Sequence, residues 1–579
     1  MGTKILLNLK YLYYSFRLFI HELRKKTNSL FYLISSFSCL SIIVLLFLEF
    51  GFNLSQNNTN NYLFIHLIIL YFFIFDTAFN ILFSTNRSKF LVTHTADLVI
   101  SLIIIYSFII TKSPISFNIS QLLLLLGLIG RVSHLNLFIK LFKIRPAQTI
   151  ILGFLFVIFI GSLMLSLPMA STTSALPFID ALFTSFSAVC VTGLVVNDIS
   201  TDLTFFGQLI ILFLIQIGGL GIMSFSVILM LISGKKISQS ETLKLQESYS
   251  TFNYKETLSA ISFIFKFTIF FELLGTILLS FFLHSPTQAL SSTIFMALFH
   301  SVSAFCNAGF SLFSTSLIGL QFNIPIIIII SALIILGGLG FPVLFNLSQR
   351  YFSNIKSPLK MQTTLALKVT LGLIIFGTLF LYFTEKTNSL ADFSTVEQLS
   401  ISFFQSVSAR TAGFNTFDIN AFHQSSILCL IILMIIGASP VSTAGGIKTT
   451  TFGLIFISFI NILKSSYRFD YNKKTIDHKS ILNAFATLFT AIIVIFFASI
   501  ILLKTEILPS NELIFEIVSA FGTVGLSLGA TPFLSSAGKI TVMLTMFIGR
   551  IGPFVFLYAF FNTRKTKSYS YPVEKVSIV

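Results

Sequence analysis

From Pro146 onward the chain repeats one unit four times: a long apolar stretch, a shorter and more polar one, a glycine-containing loop, and a second long apolar stretch. The period is roughly 100–115 residues, a self-similarity that constrains the fold before any single residue is considered. The loops read Val191-Thr192-Gly193-Leu194, Asn307-Ala308-Gly309-Phe310, Thr411-Ala412-Gly413-Phe414 and Thr523-Val524-Gly525-Leu526. Each follows a Ser-Ala pair: Ser187-Ala188, Ser303-Ala304, Ser408-Ala409 and Ser519-Ala520. One glycine between helices would mean little, but four at the same place in four units describe an architecture. The segment before each loop is about 10–12 residues long, too short to cross a bilayer and right for a helix that dips in and returns.

A bilayer is implied because only 10% of the 579 residues are charged and 55% are hydrophobic, too little charge to solvate a soluble surface of that size. With 70 Phe and no Trp, an interfacial belt would have to be built from Tyr and Phe. The formal net charge of +16 does not indicate nucleic-acid binding. Its Lys and Arg gather in short stretches between apolar segments, at Arg24–Lys26, Lys143 and Arg145, Lys235 and Lys236, Arg350 to Lys360, Lys473 and Lys474, and Arg564 to Lys567. That is the pattern of cytoplasmic loops under the positive-inside rule. Cys39, Cys190, Cys306 and Cys429 stand singly, so neither a zinc site nor a disulfide framework is indicated.

The expected fold is an all-α polytopic membrane protein of 12 spans plus four re-entrant helices. Four helix–pore helix–helix units with pseudo-fourfold symmetry follow an N-terminal bundle of about four spans. The expected division is residues 1–145 for the bundle, then 146–235, 236–347, 348–470 and 471–579 for the four units.

Non-helical backbone at membrane depth is tolerated where protein buries it or where it lines a watery path. Four such loops around an axis would aim carbonyl oxygens at a passing ion and replace its hydration shell. Glycine suits such a strand, having no Cβ to resist unusual backbone angles or to keep an ion at a distance. The short helix before each loop adds the partial negative charge of its C-terminal end, so a cation can be favoured without a buried carboxylate.

The region from about Pro146 to Phe561 resembles the Trk/Ktr/HKT superfamily of potassium transporters, in its bacterial Trk/Ktr branch. The likeness rests on the four loops above together with Gly218–Gly221, Gly337–Pro342, Gln405–Thr416, Ser442–Thr450 and Gly549–Pro553. It implies that the filter glycines are Gly193, Gly309, Gly413 and Gly525, with K⁺ held at these four loops. In that family a Ser at the first position goes with sodium transport, so Gly193 implies potassium selectivity. Thr523-Val524-Gly525-Leu526 is also the loop most similar to the Thr-Val-Gly-Tyr-Gly strand of potassium channels. The other three diverge, so fewer ordered ion sites are expected than in a symmetric channel.

Two further features carry mechanism. The second helix of the third unit is interrupted by Gly437, Ala438, Ser439, Pro440, Val441, Ser442, Thr443, Ala444, Gly445 and Gly446, followed by Lys448. Small, polar and Pro residues break a helix rather than continue it. The resemblance implies an intramembrane gate below the filter, which Pro440 would stiffen; a kink packed against protein is the alternative. Arg550 lies inside the last apolar span, where a charge is costly and functional by default. The resemblance implies that it faces the pore as a barrier or holds the gate, whereas a structural pairing with Glu272 or Glu516 is the alternative. Glu272 itself reads as a paired core residue and His300 as a packed one.

The resemblance further implies a homodimer in the cell inner (plasma) membrane, served by a cytoplasmic nucleotide-binding regulatory subunit that this chain does not encode. K⁺ is the expected transported ion, Na⁺ stays open as a coupling or activating ion, and neither a covalent cofactor nor an enzymatic activity is expected. Two other readings stay open: the ion-translocating subunit of a potassium-pumping ATPase, and a membrane sensor with a vestigial pore. The N-terminal spans lie outside the resemblance. Arg131, His134, Lys140 and Lys143 in the fourth, with Asp76 and Asp97 in the second and third, weakly suggest a voltage-sensing bundle. Snorkelling of Lys140 and Lys143 to the surface explains them as well.

Overall fold

Apolar side chains all around a helix leave it no solvated face, and the described part of the chain is built from such helices. The computed structural model describes residues 146–560, apart from Ser174 and the stretches 222–253, 285–288, 352–357, 465–468 and 472–473, together with Ile68, Tyr71 and Phe75. The N-terminal spans with their charged residues, and the tail from Phe561, lie outside the described residues.

The first unit runs α1 (Pro146–Leu165), α2 (Phe178–Val189) and α3 (Phe205–Leu220). The second runs α4 (Tyr254–Leu283), α5 (Leu290–Phe305), then α6 (Ile324–Gly338) and α7 (Phe341–Tyr351), which are bent by 97° at the break between them. The third comprises α8 (Met361–Glu385), α9 (Thr395–Ser408), α10 (Gln424–Ile435) and α11 (Thr449–Leu463). A two-stranded hairpin, with Asp470 opposite Thr475, leads into the fourth: α12 (His478–Thr505), α13 (Ser510–Gly522), α14 (Ser536–Ile551) and α15 (Pro553–Phe560).

Local chemistry sets several helix starts. Thr204 accepts from the Gly207 N–H to cap α3, Ser535 does the same for Gly538 of α14, and Ser394 with Glu397 forms a reciprocal capping box at α9. Asn323 caps α6, and Pro325 sits in the first turn, where its missing N–H costs nothing.

The layering differs from that of a soluble protein in its outer shell. The largest fully buried side chains are Phe183, Phe299, Phe305, Phe310, Phe404, Phe414, Phe515 and Phe521, all in the short helices or the loops after them. Phe183, Phe299, Phe404 and Phe515 stand four residues before the Ser of each Ser-Ala pair, the same place in all four units. The long helices lie outside and present Phe270, Phe281, Phe383, Phe489 and Phe496 outward, a surface that hydrocarbon solvates and water does not. Packing within a unit places α1 on α2, α4 on α5, α8 on α9 and α12 on α13. Between units, α5 packs on α3, α9 on α6, α13 on α10, and α2 on α14, so each short helix leans on the last helix of the unit before it and the ring closes. At the closing seam Phe186 and Phe547 meet edge to face at 6.0 Å, and Lys539 reaches Asp180 at 2.5 Å.

Candidate functional site

At the centre the four loops form a closed cycle through their glycines. A Cβ on Gly193 would run into the carbonyl oxygen of Ala308 and stand 3.1 Å from the Cα of Gly309. One on Gly309 would meet the Ala412 carbonyl at 2.7 Å and the Gly413 Cα at 3.0 Å. Gly413 stands in the same relation to Val524 and Gly525, and Gly525 to Thr192 and Gly193, an added Cβ falling 3.1 Å from the next Cα in each case. All four glycines have positive φ, at 91°, 72°, 79° and 94° in chain order. The site therefore requires glycine twice over, for backbone hand and for space.

Two residues before each glycine the backbone is left-handed again, at Val191 (58°), Asn307 (59°), Thr411 (76°) and Thr523 (50°). These are not glycines, and such a conformation is strained for them, above all for the β-branched Val and Thr. Strain of that kind persists where the surroundings over-determine it. Here the loop residues are buried, and serines pin them from the short helices. Ser187 Oγ accepts from Gly193 N–H and Ser519 Oγ from Gly525 N–H, both at 3.1 Å. Ser303 instead donates to the Phe310 carbonyl at 2.7 Å, and Ser408 to the Phe414 carbonyl at 2.6 Å. The Asn307 amide, with its NH2 toward the carbonyls of Ala304, Phe305 and Ile334 at 3.2–3.3 Å, turns its oxygen to the Thr411 hydroxyl and joins the second loop to the third. The Ser-Ala pairs were visible in the sequence; their anchoring role was not, because it depends on where the chain returns.

Each second helix meets a glycine of positive φ: Gly221 (φ 78°) where α3 ends, Gly340 (85°) between α6 and α7, Gly446 (65°) in the interruption between α10 and α11, and Gly552 (97°) between α14 and α15. Sequence reading identified an interruption in the third unit alone, although the Gly-rich runs around the other three breaks were in plain view. Just before three of the breaks, Gly218, Gly337 and Gly549 press on the carbonyls of Val189, Phe305 and Phe521, so the helix passes directly under the end of a short helix.

In the third unit the break opens into a loop, residues 436–448. Its neck is closed by a parallel bridge between Ile436 and Ile447 and by Thr449 N–H donating to the Ala438 carbonyl at 3.0 Å. The loop is tied outward on several sides. Ser439 N–H donates to the Gly338 carbonyl at 3.0 Å, and the Val441 carbonyl accepts from Phe341 N–H at 3.1 Å, both across the break of the second unit. The Pro440 carbonyl lies against Gly340, where a Cβ would stand 2.7 Å away. Ser439 and Thr449 hydroxyls pair at 3.0 Å, the Ser442 Oγ accepts from Ala444 N–H at 3.3 Å, and Lys448 Nζ turns back to the Ala444 carbonyl at 2.8 Å. Gly445 packs under the Thr523 side chain, so the loop touches the base of the fourth glycine-containing loop.

Arg550 donates through Nη1 to the Thr443 carbonyl and through Nη2 to the Gly218 carbonyl, joining the loop to the break of the first unit. It bonds to neither carboxylate weighed as a partner. Glu272 accepts from Gln216 at 3.3 Å and lies 3.8 Å from Cys306 Sγ, and Glu516 accepts from the Ser527 hydroxyl. His300 is packed, bonded to the Met296 carbonyl at 2.8 Å and Ser311 Oγ at 3.0 Å, with Phe313 stacked on its ring at 4.8 Å. Arg410, which sequence reading did not single out, is buried directly behind the third loop.

Comparison with known proteins follows the same outline. The TrkH family, described as "Cation transport protein", matches residues 141–568. The Ktr system potassium uptake protein B of Bacillus subtilis is 40% identical over 431 residues, covering 74% of this chain and 96% of that one. The potassium/sodium uptake protein NtpJ of Enterococcus hirae is 35% identical over 444 residues, covering 75% and 98%. The crystal structure of the potassium transporter TrkH from Vibrio parahaemolyticus superposes with a TM-score of 0.59 at 17% identity, covering 81% of this chain and 98% of that one, and so supports the helical membrane fold. With four filter-like loops, a family match over most of its length and a shared helical architecture, the chain belongs to the TrkH family of cation transport proteins.

Proposed function

We infer that this chain takes up potassium ions through a pore on the axis of its four loops, gated by the loop at 436–448. The observation that carries the reading is the cycle of four glycines, each against the carbonyl-bearing strand of the next. An extended strand of uniform hand turns its carbonyls alternately to its two faces. Left-handed residues at alternate positions, as at Val191 and Gly193, break that alternation and can turn successive carbonyls to one side, as a cation pathway needs. The filter set would be Val191 to Leu194, Asn307 to Phe310, Thr411 to Phe414 and Thr523 to Leu526, with Gly193 rather than Ser supporting preference for K⁺. Kinship with a potassium uptake protein along nearly that protein's whole length supports an uptake transporter over a pump subunit or a sensor.

The gate reading is supported by the position of Ala438 to Gly446 under the base of the fourth strand, and by the hold of Arg550 on Thr443. Lys448 and Arg550 add positive charge beside the path, which retards cations while the loop is closed. The division into an N-terminal bundle to residue 145 and four units with boundaries at 235, 347 and 470 belongs to this proposal. So do a homodimer in the inner membrane, a cytoplasmic nucleotide-binding partner and a role for Na⁺ in coupling or activation. The test is sodium competition of potassium uptake in a transport-deficient strain. Gly193→Ser, Gly309→Ser and Gly413→Ser should each lower discrimination, and unchanged competition in all three would overturn the filter assignment.

A further inference from the structure

Arg410 is 7% exposed and has no carboxylate partner among the described residues, a costly arrangement for a guanidinium at membrane depth. Its Nη1 donates to the Thr370 carbonyl of α8 at 3.4 Å and its Nη2 to the Gly437 carbonyl, at the start of the 436–448 loop, at 3.5 Å. Among the described residues its Nε has no partner, nor has the buried Thr370 hydroxyl, and both residues line a small cavity with Asn307, Gly338 and Ala438. That cavity therefore adjoins the second filter loop, the third filter loop, the break of the second unit and the first residues of the gating loop. Charge-assisted bonds usually run about 2.7–2.9 Å, so at 3.4 and 3.5 Å this arginine holds its carbonyls loosely, with donors to spare.

Rigid covalent geometry adds the second half of the argument. Arg410 directly precedes Thr411, whose left-handed backbone begins the third filter strand, while the tip of the same side chain sits on Gly437. The middle of the loop is held at Thr443 by Arg550. We propose that Arg410 is a second latch of the gating loop, coupling its hinge at Gly437 to the third filter strand. Release of the Gly437 carbonyl lets the loop swing while the guanidinium finds another carbonyl or water in the cavity. Linkage is reciprocal, so loop position and the third strand bias one another. This inference rests on the reading of 436–448 as a gate.

The test uses the full-length chain carrying Ser442→Cys, with a cationic thiol reagent applied from the cytoplasmic side of inverted vesicles, alongside potassium uptake and sodium competition in cells. Arg410→Met keeps the bulk and removes the donors. Loop reactivity and maximal uptake should both rise about fivefold, the shift expected from losing one modest bond in the closed state. Lost discrimination with unchanged loop reactivity would overturn the latch and make Arg410 a support of the filter alone. If Arg410→Met fails to reach the membrane, Arg410→Lys, which keeps the charge but reaches one carbonyl, should give an intermediate rise, and no rise overturns the proposal. Deleting 439–444 separates the two readings. If that deletion leaves uptake unchanged the gate itself is wrong, whereas a raised uptake beside silent Arg410 variants removes only the latch.

Discussion

The third unit and its three siblings solve the same problem differently. In the first, second and fourth units the Ser of the Ser-Ala pair stands six residues before the ring glycine, as in Ser187 and Gly193. In the third, Ser408 stands five before Gly413. The contraction is absorbed between helix and strand: Ala308 and Val524 N–H groups reach back to the carbonyls of Ser303 and Ser519 five residues earlier, whereas Ala412 reaches Ser408 four residues earlier. The shortened loop also carries the buried Arg410 where the others carry Val189 or Cys190, Phe305 or Cys306, and Phe521 or Gly522. Its second helix then breaks into a loop rather than a single glycine kink. A repeat can thus keep the shared ring geometry while one copy departs from the others outside it.

The largest effect that would break this comparison is at the ring. Gly525→Ser forces a Cβ into the Thr192 carbonyl and should cost about tenfold in K⁺ over Na⁺ discrimination, about 1.4 kcal/mol, and Gly413→Ser should match it if the third loop is an equal member. A silent Gly413→Ser beside a damaging Gly525→Ser, both measured by sodium competition, would demote the third strand to a scaffold.

Next is the seam between the last and first units, the described seam that carries an ion pair. Asp180 and Lys539 are 13% and 12% exposed, so Lys539→Met leaves a carboxylate poorly solvated and should lower the unfolding free energy by about 3 kcal/mol. The double variant Asp180→Asn with Lys539→Met should recover most of the loss in a detergent thermal-melt series. Additive losses would mean the two residues act separately.

Deleting residues 439–444 should raise the maximal uptake rate about fivefold, with apparent potassium affinity nearly unchanged. Arg550→Ala should act in the same direction, and uptake that falls because the protein is lost from the membrane would mark the third unit's loop as structural. The smallest effect separates the serine anchors. Ser187→Ala strands a buried N–H, whereas Ser408→Ala removes a donor from a carbonyl with other capacity, so the first should cost about 1–2 kcal/mol and the second less. Equal losses in thermal stability would mean that the two hydrogen-bonding modes are equivalent.

Much of the site was legible from residue order. The glycines at 193, 309, 413 and 525 repeat in a fixed frame, and Gly437 to Gly446 is too polar and broken to continue an apolar helix. Arg550 stood out because a charge in an apolar run is rare. Arg410 did not: beside Ser and Thr in a loop it looks solvated, and only its burial marks it. The breaks at Gly221, Gly340 and Gly552 were missed for a related reason, since glycine occurs within membrane helices without breaking them.

Composition, period and loop motifs were enough to set the class, the four units and the identity of the ring glycines, because hydropathy and backbone freedom belong to residues and their spacing. The order of contacts around the ring, the two serine modes, the carbonyl partners of Arg550 and the hold of Arg410 on Gly437 came only with the folded chain. Each joins residues roughly five to several hundred positions apart, and a hydrogen bond depends on where two groups end in space, which no local pattern carries. Arg550 shows the division plainly. Its cost at that depth could be read from its neighbours in the sequence, but its choice of the Thr443 and Gly218 carbonyls over Glu272 or Glu516 was decided by three units closing on one axis.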